Sequence, residues 1–264
     1  MMDLTKELTI SKDLAIKAGK EILNIYNSNN FEITNKNENN YTSPLTIADT
    51  KANEIIVTKL REEFPNYAIL TEEEKDDKAR LNNDFVWIID PLDGTKEFIK
   101  KNDEFTVNIA LVYKNEIILG VIYVPVTNEL YYATKNNGSY LQEQKISVSA
   151  NNNQKDMILV KSRSHASEKL LKIIDNFKDT IEKGSSLKGC IIANGKADLY
   201  PRLGPINEWD ICAMDIIIKE AGGTLTDLEG KDLKYNKITP LITSGFLVTN
   251  NKIHKELLDV INND

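Results

Sequence analysis

Apolar residues recur at helical spacing from the start of the chain. Leu4, Leu8, Leu14, Ile16, Ala18, Ile22, Leu23 and Tyr26 predict an amphipathic helix ending near Asn27–Asn30. A polar stretch follows, and Ser43-Pro44-Leu45-Thr46 leads into a second helical pattern from Ala48 to Glu63, closed by Pro65. Tyr67–Leu70 reads as a short strand running into Glu72-Glu73-Glu74. Phe85-Val86-Trp87-Ile88-Ile89 is a continuous apolar run followed at once by Asp90-Pro91, the pattern of a buried strand ending in a turn. From Phe105 to Leu141 the pattern is a β-meander with strands Val107–Tyr113, Ile117–Val124 and Leu130–Ala133, separated by Lys-Asn, Pro and Asn-Gly breaks. The Asn-rich stretch Ala150–Lys155 is the best internal boundary, dividing an N-terminal α+β half (residues 1–152) from a C-terminal α/β half (residues 153–264). Beyond it come a strand at Ile158–Lys161, a helix at Ser167–Phe177 and a strongly apolar helix at Trp209–Ala221, stopped by Gly222-Gly223. The expected class is α+β, in layers, with two halves facing one cleft.

Composition narrows the function classes. A chain of 264 residues buries a core large enough to fold without a disulfide or structural metal. Its two cysteines, Cys190 and Cys212, form no short pairing motif, which argues against a disulfide scaffold or a Cys-rich zinc site and for a reducing compartment. The formal net charge of −7 argues against a general nucleic-acid binder, though not against a nucleotide substrate, for which a few local cations suffice. No apolar run reaches the length of a membrane span, and Met1–Ala18 lacks a signal-peptide core. The expected location is the cytoplasm, with peripheral attachment at the inner membrane left open.

The candidate chemistry is acidic. Glu72-Glu73 follows one strand, Asp90-Pro91-Leu92-Asp93-Gly94-Thr95 follows the next, and Asp210 stands at the start of a helix. An acidic run alone is usually a solvated loop, and an isolated Asp-Pro or Asp-Gly is usually a turn. Together, each behind a strand or at a helix start, they can converge, and converging carboxylates repel one another unless a hard cation neutralises them. Magnesium suits such a set, because it takes oxygen ligands and keeps several waters. Gly94 would allow close backbone approach, and the amides of Gly94 and Thr95 could hold a phosphate.

These motifs, with Trp209-Asp210 downstream, resemble the metal signatures of the inositol monophosphatase superfamily of lithium-sensitive, magnesium-dependent phosphatases. The resemblance spans nearly the whole chain, in the family's order. Within it, Asp93–Ile99, Phe105–Leu111, Ser162-Arg163-Ser164-His165, Gly184-Ser185-Ser186-Leu187-Lys188 and Tyr200-Pro201-Arg202 look like the CysQ-type 3′(2′),5′-bisphosphate nucleotidases. The fold implied is a layered α-β-α-β-α sandwich, with two α/β halves around one metal cleft.

The resemblance also implies roles. Glu72, Asp90 and the Leu92 carbonyl would hold one Mg²⁺, and Asp90, Asp93 and Asp210 a second. A third, weaker ion would lean on Glu72 and on water held by Glu73. Asp49, in Thr46-Ile47-Ala48-Asp49, would accept a hydrogen bond from Thr95, whose hydroxyl orients the attacking water. Read without the family, Asp49 is a carboxylate favoured by the helix dipole. The cleaved phosphate would meet the metal shell (Glu72, Leu92, Asp93, Asp210) with Gly94 and Thr95. Ser185, Lys188 and Arg202 would take the second phosphate, with Ser162 and His165 near the nucleotide and Arg163 a weaker candidate. Cys190 and Cys212 read as buried hydrophobes, and His254 as having no role. The implied reaction is hydrolysis of adenosine 3′,5′-bisphosphate to AMP and phosphate in sulfur assimilation, with the sulfated analogue as a second substrate. The alternatives are an inositol monophosphatase or other sugar-phosphate phosphatase of the superfamily and, in another class, a non-catalytic metal- or nucleotide-sensing protein. The expected partner is a small-molecule nucleotide, not nucleic acid, with monomer or homodimer left open.

Overall fold

A computed structural model describes residues 2–28, 33–38, 41–163, 170 and 174–263, with 33–38, 41–44 and 263 described by backbone alone. Helix α1 (Thr5–Ser28) is followed by a hairpin of β1 (Ile33–Glu38) and β2 (Tyr41–Thr46), then α2 (Ile47–Glu63). The hairpin occupies a stretch whose polarity gave no strand signal in the sequence. The longest apolar runs then pair with one another. A seven-stranded sheet is formed, in spatial order, by β3 (Ala68–Thr71), β4 (Phe85–Asp93), β5 (Thr106–Tyr113), β6 (Glu116–Val124), β7 (Glu129–Thr134), β8 (Ser139–Leu141) and β9 (Gln144–Ile146). Strands β3 and β4 are parallel and the rest antiparallel.

The apolar run in β4 is continuous because both faces of this sheet are covered. Trp87 and Ile89 face Leu14, Ala18, Ile22, Ile56 and Leu60 of α1 and α2. Val86 and Ile88 join the opposite core with Ala213, Ile216 and Ile217 of a later helix. That second core is roofed by a five-stranded sheet of β10 (Ile158–Ser162), β11 (Asp179–Lys183), β12 (Leu199–Arg202), β14 (Thr224–Thr226) and β16 (Phe246–Thr249), ordered β11-β10-β12-β16-β14. The short strands β13 (Ile206–Asn207) and β15 (Leu241–Ile242) pair apart from it. Between the two sheets lie α4 (Leu187–Ala193) and α5 (Glu208–Glu220), after the one-turn α3 (Thr95–Ile99). On the far side α6 (His254–Asn263) packs Leu257, Leu258 and Ile261 onto Leu159, Leu199 and Leu247. The layers therefore run α-β-α-β-α. Gly120 on β6 lets α5 lie close, because a Cβ there would stand 2.6 Å from the Ala213 carbonyl and from Ile216 Cγ2.

Three expectations change. The strand at Phe85–Ile89 does not end at Asp90-Pro91. It runs on to Asp93 with a register shift against β5 between Asp90 and Asp93. The meander, expected to end at Leu141, continues through one further strand, β9. The helix expected at Ser167–Phe177 falls mostly outside the described residues, and Ile174–Asn176 is a single 3₁₀ turn. Cys190 and Cys212 are buried free thiols, and His254 sits between the hydroxyls of Thr226 and Thr249 at 2.9 and 2.8 Å. Among the described residues, no helix is long and apolar enough to cross a membrane.

Candidate functional site

The irregular end of β4 is where the acidic residues meet. A bulge re-aims side chains that regular pleating would send to alternate faces, and Asp90 and Asp93 come together across this one. Asp210 joins them from the first turn of α5. One carboxylate oxygen from each of the three lies within 4.8 Å of the others. Glu72 is placed alongside by its own backbone, whose N–H donates to the Ile89 carbonyl at 3.2 Å and extends the β3–β4 ladder by one residue.

The local partners hold the cluster without neutralising it. Asp90 is 1% exposed, and its Oδ1 accepts a backbone N–H, from Leu92 at 3.0 Å. Asp93 Oδ2 accepts from Ser186 Oγ at 2.8 Å and from Asn108 Nδ2 at 3.2 Å. Ser186 Oγ also lies 2.9 Å from the Asp210 carbonyl, so the serine ties β4 to α5. Asp210 occupies the third position of α5, and its Oδ2 accepts the Asn207 N–H at 3.0 Å as a helix cap. Burial pushes the Asp90 carboxyl well above its ordinary value, and the charges of Glu72, Asp93, Asp210 and Glu73 push it further. Burial likewise raises Asp93, against the pull of Lys188, Ser186 and Asn108. Asp210 is raised by burial and by the Asp93 charge. An all-oxygen donor set held together against its own repulsion fits a hard divalent cation.

Thr95 stands beside this cluster at the start of α3. Its Oγ1 lies 3.0 Å from Asp49 Oδ1 and 3.3 Å from the Leu92 carbonyl. Asp49 is the third residue of α2, and its other oxygen accepts the N–H and hydroxyl of the N-cap Thr46 at 2.8 and 2.7 Å. A capping box thus spends one oxygen of Asp49 and turns the other to Thr95. Gly94 precedes Thr95 at φ 95°, where a Cβ would sit 2.8 Å from the Glu104 carbonyl.

Two cations adjoin the acids. Lys188, buried on α4, donates from Nζ to the Ser185 carbonyl and lies 5.3 Å from the Tyr200 ring centroid. Burial lowers its pKa, and the nearby charge of Arg202 adds to the effect, against the pull of Asp93. Arg202, at the end of β12, donates from Nη2 to the Pro205 carbonyl at 2.9 Å, while its buried Nε has no hydrogen-bond partner among the described residues. Two neighbouring cations, one with a buried donor that is unpaired among the described residues, could take an anion. Ser185, whose carbonyl takes the Lys188 ammonium, adopts φ 45°. Ser162 is buried at the end of β10, and His165 lies outside the described residues. Arg163 does not join the cations, because it is bound to Glu104. Sequence reasoning passed over Asn108, Ser186 and Glu104 as individuals. The available signal was an amide within the otherwise apolar Val107–Val112, since a polar residue on a doubly covered strand needs a partner.

Comparison with known proteins follows the same lines. Residues 3–263 match the inositol monophosphatase family. The 3′(2′),5′-bisphosphate nucleotidase CysQ of Escherichia coli K12 is 38% identical over 243 residues, covering 89% of this chain and 96% of that protein. The protein of the same name from Buchnera aphidicola is 40% identical over 243 residues, covering 88% of this chain and 89% of its own length. The crystal structure of CysQ from Bacteroides thetaiotaomicron, a bacterial member of the family, superposes with a TM-score of 0.79 at 39% identity, covering 94% of this chain and 98% of that one.

Proposed function

This chain belongs to the inositol monophosphatase family, and from that premise we propose that it is a metal-dependent 3′(2′),5′-bisphosphate nucleotidase. It hydrolyses adenosine 3′,5′-bisphosphate to AMP and phosphate, and acts on the sulfated analogue as a second substrate. One observation carries the choice within the family. The acidic cluster, which suits the phosphate to be cleaved, has beside it the cation pair Lys188 and Arg202, with a buried Arg202 Nε awaiting an acceptor.

In this reading residues 1–152 supply Glu72, Asp90, Asp93 and the Leu92 carbonyl, and residues 153–264 supply Asp210 and the nucleotide contacts. Glu72, Asp90 and Leu92 would hold one Mg²⁺, Asp90, Asp93 and Asp210 a second, and Glu72 with Glu73 a third. When bound, Mg²⁺ supplies charge neutralisation and Lewis acidity at the scissile phosphate. The chain's own groups do the rest. Thr95 Oγ1 orients the attacking water and takes its proton while passing its own to Asp49 Oδ1, for which the 3.0 Å contact is already in place. Glu73 holds a further water. The water oxygen bonds to phosphorus, the bond from phosphorus to the 3′ oxygen breaks, the leaving oxygen takes a proton from solvent water, and Asp49 returns the one it received to solvent. Gly94 and Thr95 face the cleaved phosphate with their amides. Ser185, Lys188 and Arg202 hold the phosphate that stays, and Ser162 and His165 stand near the nucleoside. The buried free thiols of Cys190 and Cys212 fit a reducing compartment, the cytoplasm.

The test is phosphate release from adenosine 3′,5′-bisphosphate and from inositol 1-phosphate, with Mg²⁺ present. The bisphosphate should be turned over faster, and Lys188→Ala should raise its KM. Faster turnover of inositol 1-phosphate makes the chain another phosphatase of the family, and nucleotide binding without phosphate release makes it a sensor.

A further inference from the structure

A buried carboxylate outside the acidic cluster joins the two halves at the edge of the site. Among the described residues, Glu104, just before β5, accepts four hydrogen bonds, each from a residue of the C-terminal half. Oε2 takes Arg163 Nε at 2.9 Å and the Gly184 N–H at 2.8 Å, while Oε1 takes Arg163 Nη2 at 3.0 Å and Lys183 Nζ at 3.1 Å. Its side chain is 8% exposed, while those of Arg163 and Lys183 are 37% and 35% exposed. Burial alone would raise the Glu104 carboxyl, and these donors outweigh it and hold it below the ordinary value. A charge kept in so dry a place by three separate donors fixes the segment that supplies them.

That segment is the turn before α4. Gly184 is packed so closely that a Cβ would stand 2.6 Å from Glu97 Cγ and 2.9 Å from the Glu104 carbonyl. The next residue, Ser185, takes φ 45°, a conformation that a non-glycine residue keeps only when its surroundings hold it. In that conformation the Ser185 carbonyl receives the Lys188 ammonium. The far end of the turn is held separately, through Ser186 on Asp93 and the Asp210 carbonyl. The contacts run Glu104, Gly184, Ser185, Lys188, and they bypass the acidic cluster.

We propose that Glu104 is the positioning residue for the second phosphate. Its grip on Arg163, Lys183 and the Gly184 amide sets the Ser185 turn, and through it the place of Lys188, so that it governs affinity for a bisphosphate and hardly touches the bond-breaking centre. This rests on the nucleotidase reading above. It also accounts for Arg163 and Lys183, whose charges are committed to Glu104.

The test compares adenosine 3′,5′-bisphosphate with adenosine 3′-monophosphate, which keeps the bond to be cleaved and lacks the second phosphate. Glu104→Gln should raise KM for the bisphosphate about tenfold, the loss expected when charged hydrogen bonds become neutral ones. Its kcat, and kcat/KM for the monophosphate, should each stay within about twofold. Arg163→Met and Lys183→Met, at partly exposed positions that leave the fold intact, should raise the same KM in the same direction by smaller factors, with Arg163→Lys restoring part of it. Equal losses on both substrates, or a fall in kcat at constant KM, overturn the role of Glu104 and make it a structural residue. A wild-type enzyme with no preference for the bisphosphate overturns instead the reading on which the role rests.

Discussion

At the scale of single residues, the site is a place where folding works against itself. Asp90, Asp93 and Asp210 are driven together and dried, and each carboxyl titrates above its ordinary range. The folded chain therefore holds protons that the unfolded chain releases, so without metal its stability falls as pH rises from the unfolded carboxylate value, near 4, through the raised folded values. Glu208, at the start of α5, is pushed up to about 7 by burial and adds to the same trend. Exposed carboxylates act in the opposite sense. Glu116, drawn down to about 2 by Lys135 and Lys234, loses its contribution only in strong acid. Thermal melts in chelator should show Tm rising as pH is lowered from about 8 to about 5, and Mg²⁺ should abolish most of that slope by taking the place of the protons. Asp90→Asn should raise the metal-free Tm at pH 8 while abolishing Mg²⁺-dependent turnover. A metal-free Tm that falls over the same interval would contradict the electrostatic account. The residue identities are legible in the sequence, because Asp90-Pro91-Leu92-Asp93-Gly94-Thr95 is a dense motif. The strain among them was not, since repulsion depends on distances that only folding sets.

At the scale of elements, helix caps and one bulge aim the chemistry. Asp49 and Asp210 are each the third residue of a helix, with one oxygen used on the cap. This explains how a local signal for a helix start can double as a site residue. The continuation of β4 to Asp93 was hidden, because Asp-Pro reads as a turn when its neighbours in space are unknown, and only pairing with β5 keeps it in the sheet. The approach of α5 to β6 depends on Gly120, which looks in sequence like an unexplained weak point in a strand. Gly120→Ala would press a methyl on the Ala213 carbonyl, a backbone atom that cannot turn aside. The expected cost is about 1–3 kcal/mol of stability. Because α5 carries Asp210, Mg²⁺ affinity measured by calorimetry should fall with it, and unchanged affinity at lowered Tm would show that α5 absorbs the shift without moving Asp210.

At the scale of the whole molecule, a second polar bridge joins segments far apart in the sequence. Arg80, 2% exposed, donates to Asn236 Oδ1 at 2.6 Å, to the Lys237 carbonyl at 2.9 Å and to Asp76. The N–H groups of Asn236 and Lys237 donate in turn to the Glu208 carboxylate at 2.6 and 3.1 Å, two residues before Asp210. The segment after Glu72-Glu73-Glu74 is thereby strapped to the N-terminus of α5. Arg80→Met keeps the volume and removes the donors, leaving buried acceptors unsatisfied, and should cost about 3 kcal/mol in denaturant melts. A loss below about 0.5 kcal/mol, the level of a surface substitution, would show the bridge to be dispensable.

The sequence by itself determined the elements with strong periodicity, α1, α2, the meander and α5, because side-chain period and burial are local consequences of residue order. It also determined the chemistry on offer, since an oxygen-rich set of acids and a separate set of cations are composition before they are geometry. Tertiary structure decided which of those residues share a site. It brought Asp210 to Asp90 and Asp93 across more than a hundred residues, set Lys188 and Arg202 beside these acids and committed Arg163 to Glu104. No periodicity carries such choices, because they depend on which polar group finds its partner when the two sheets close over one layer of helices.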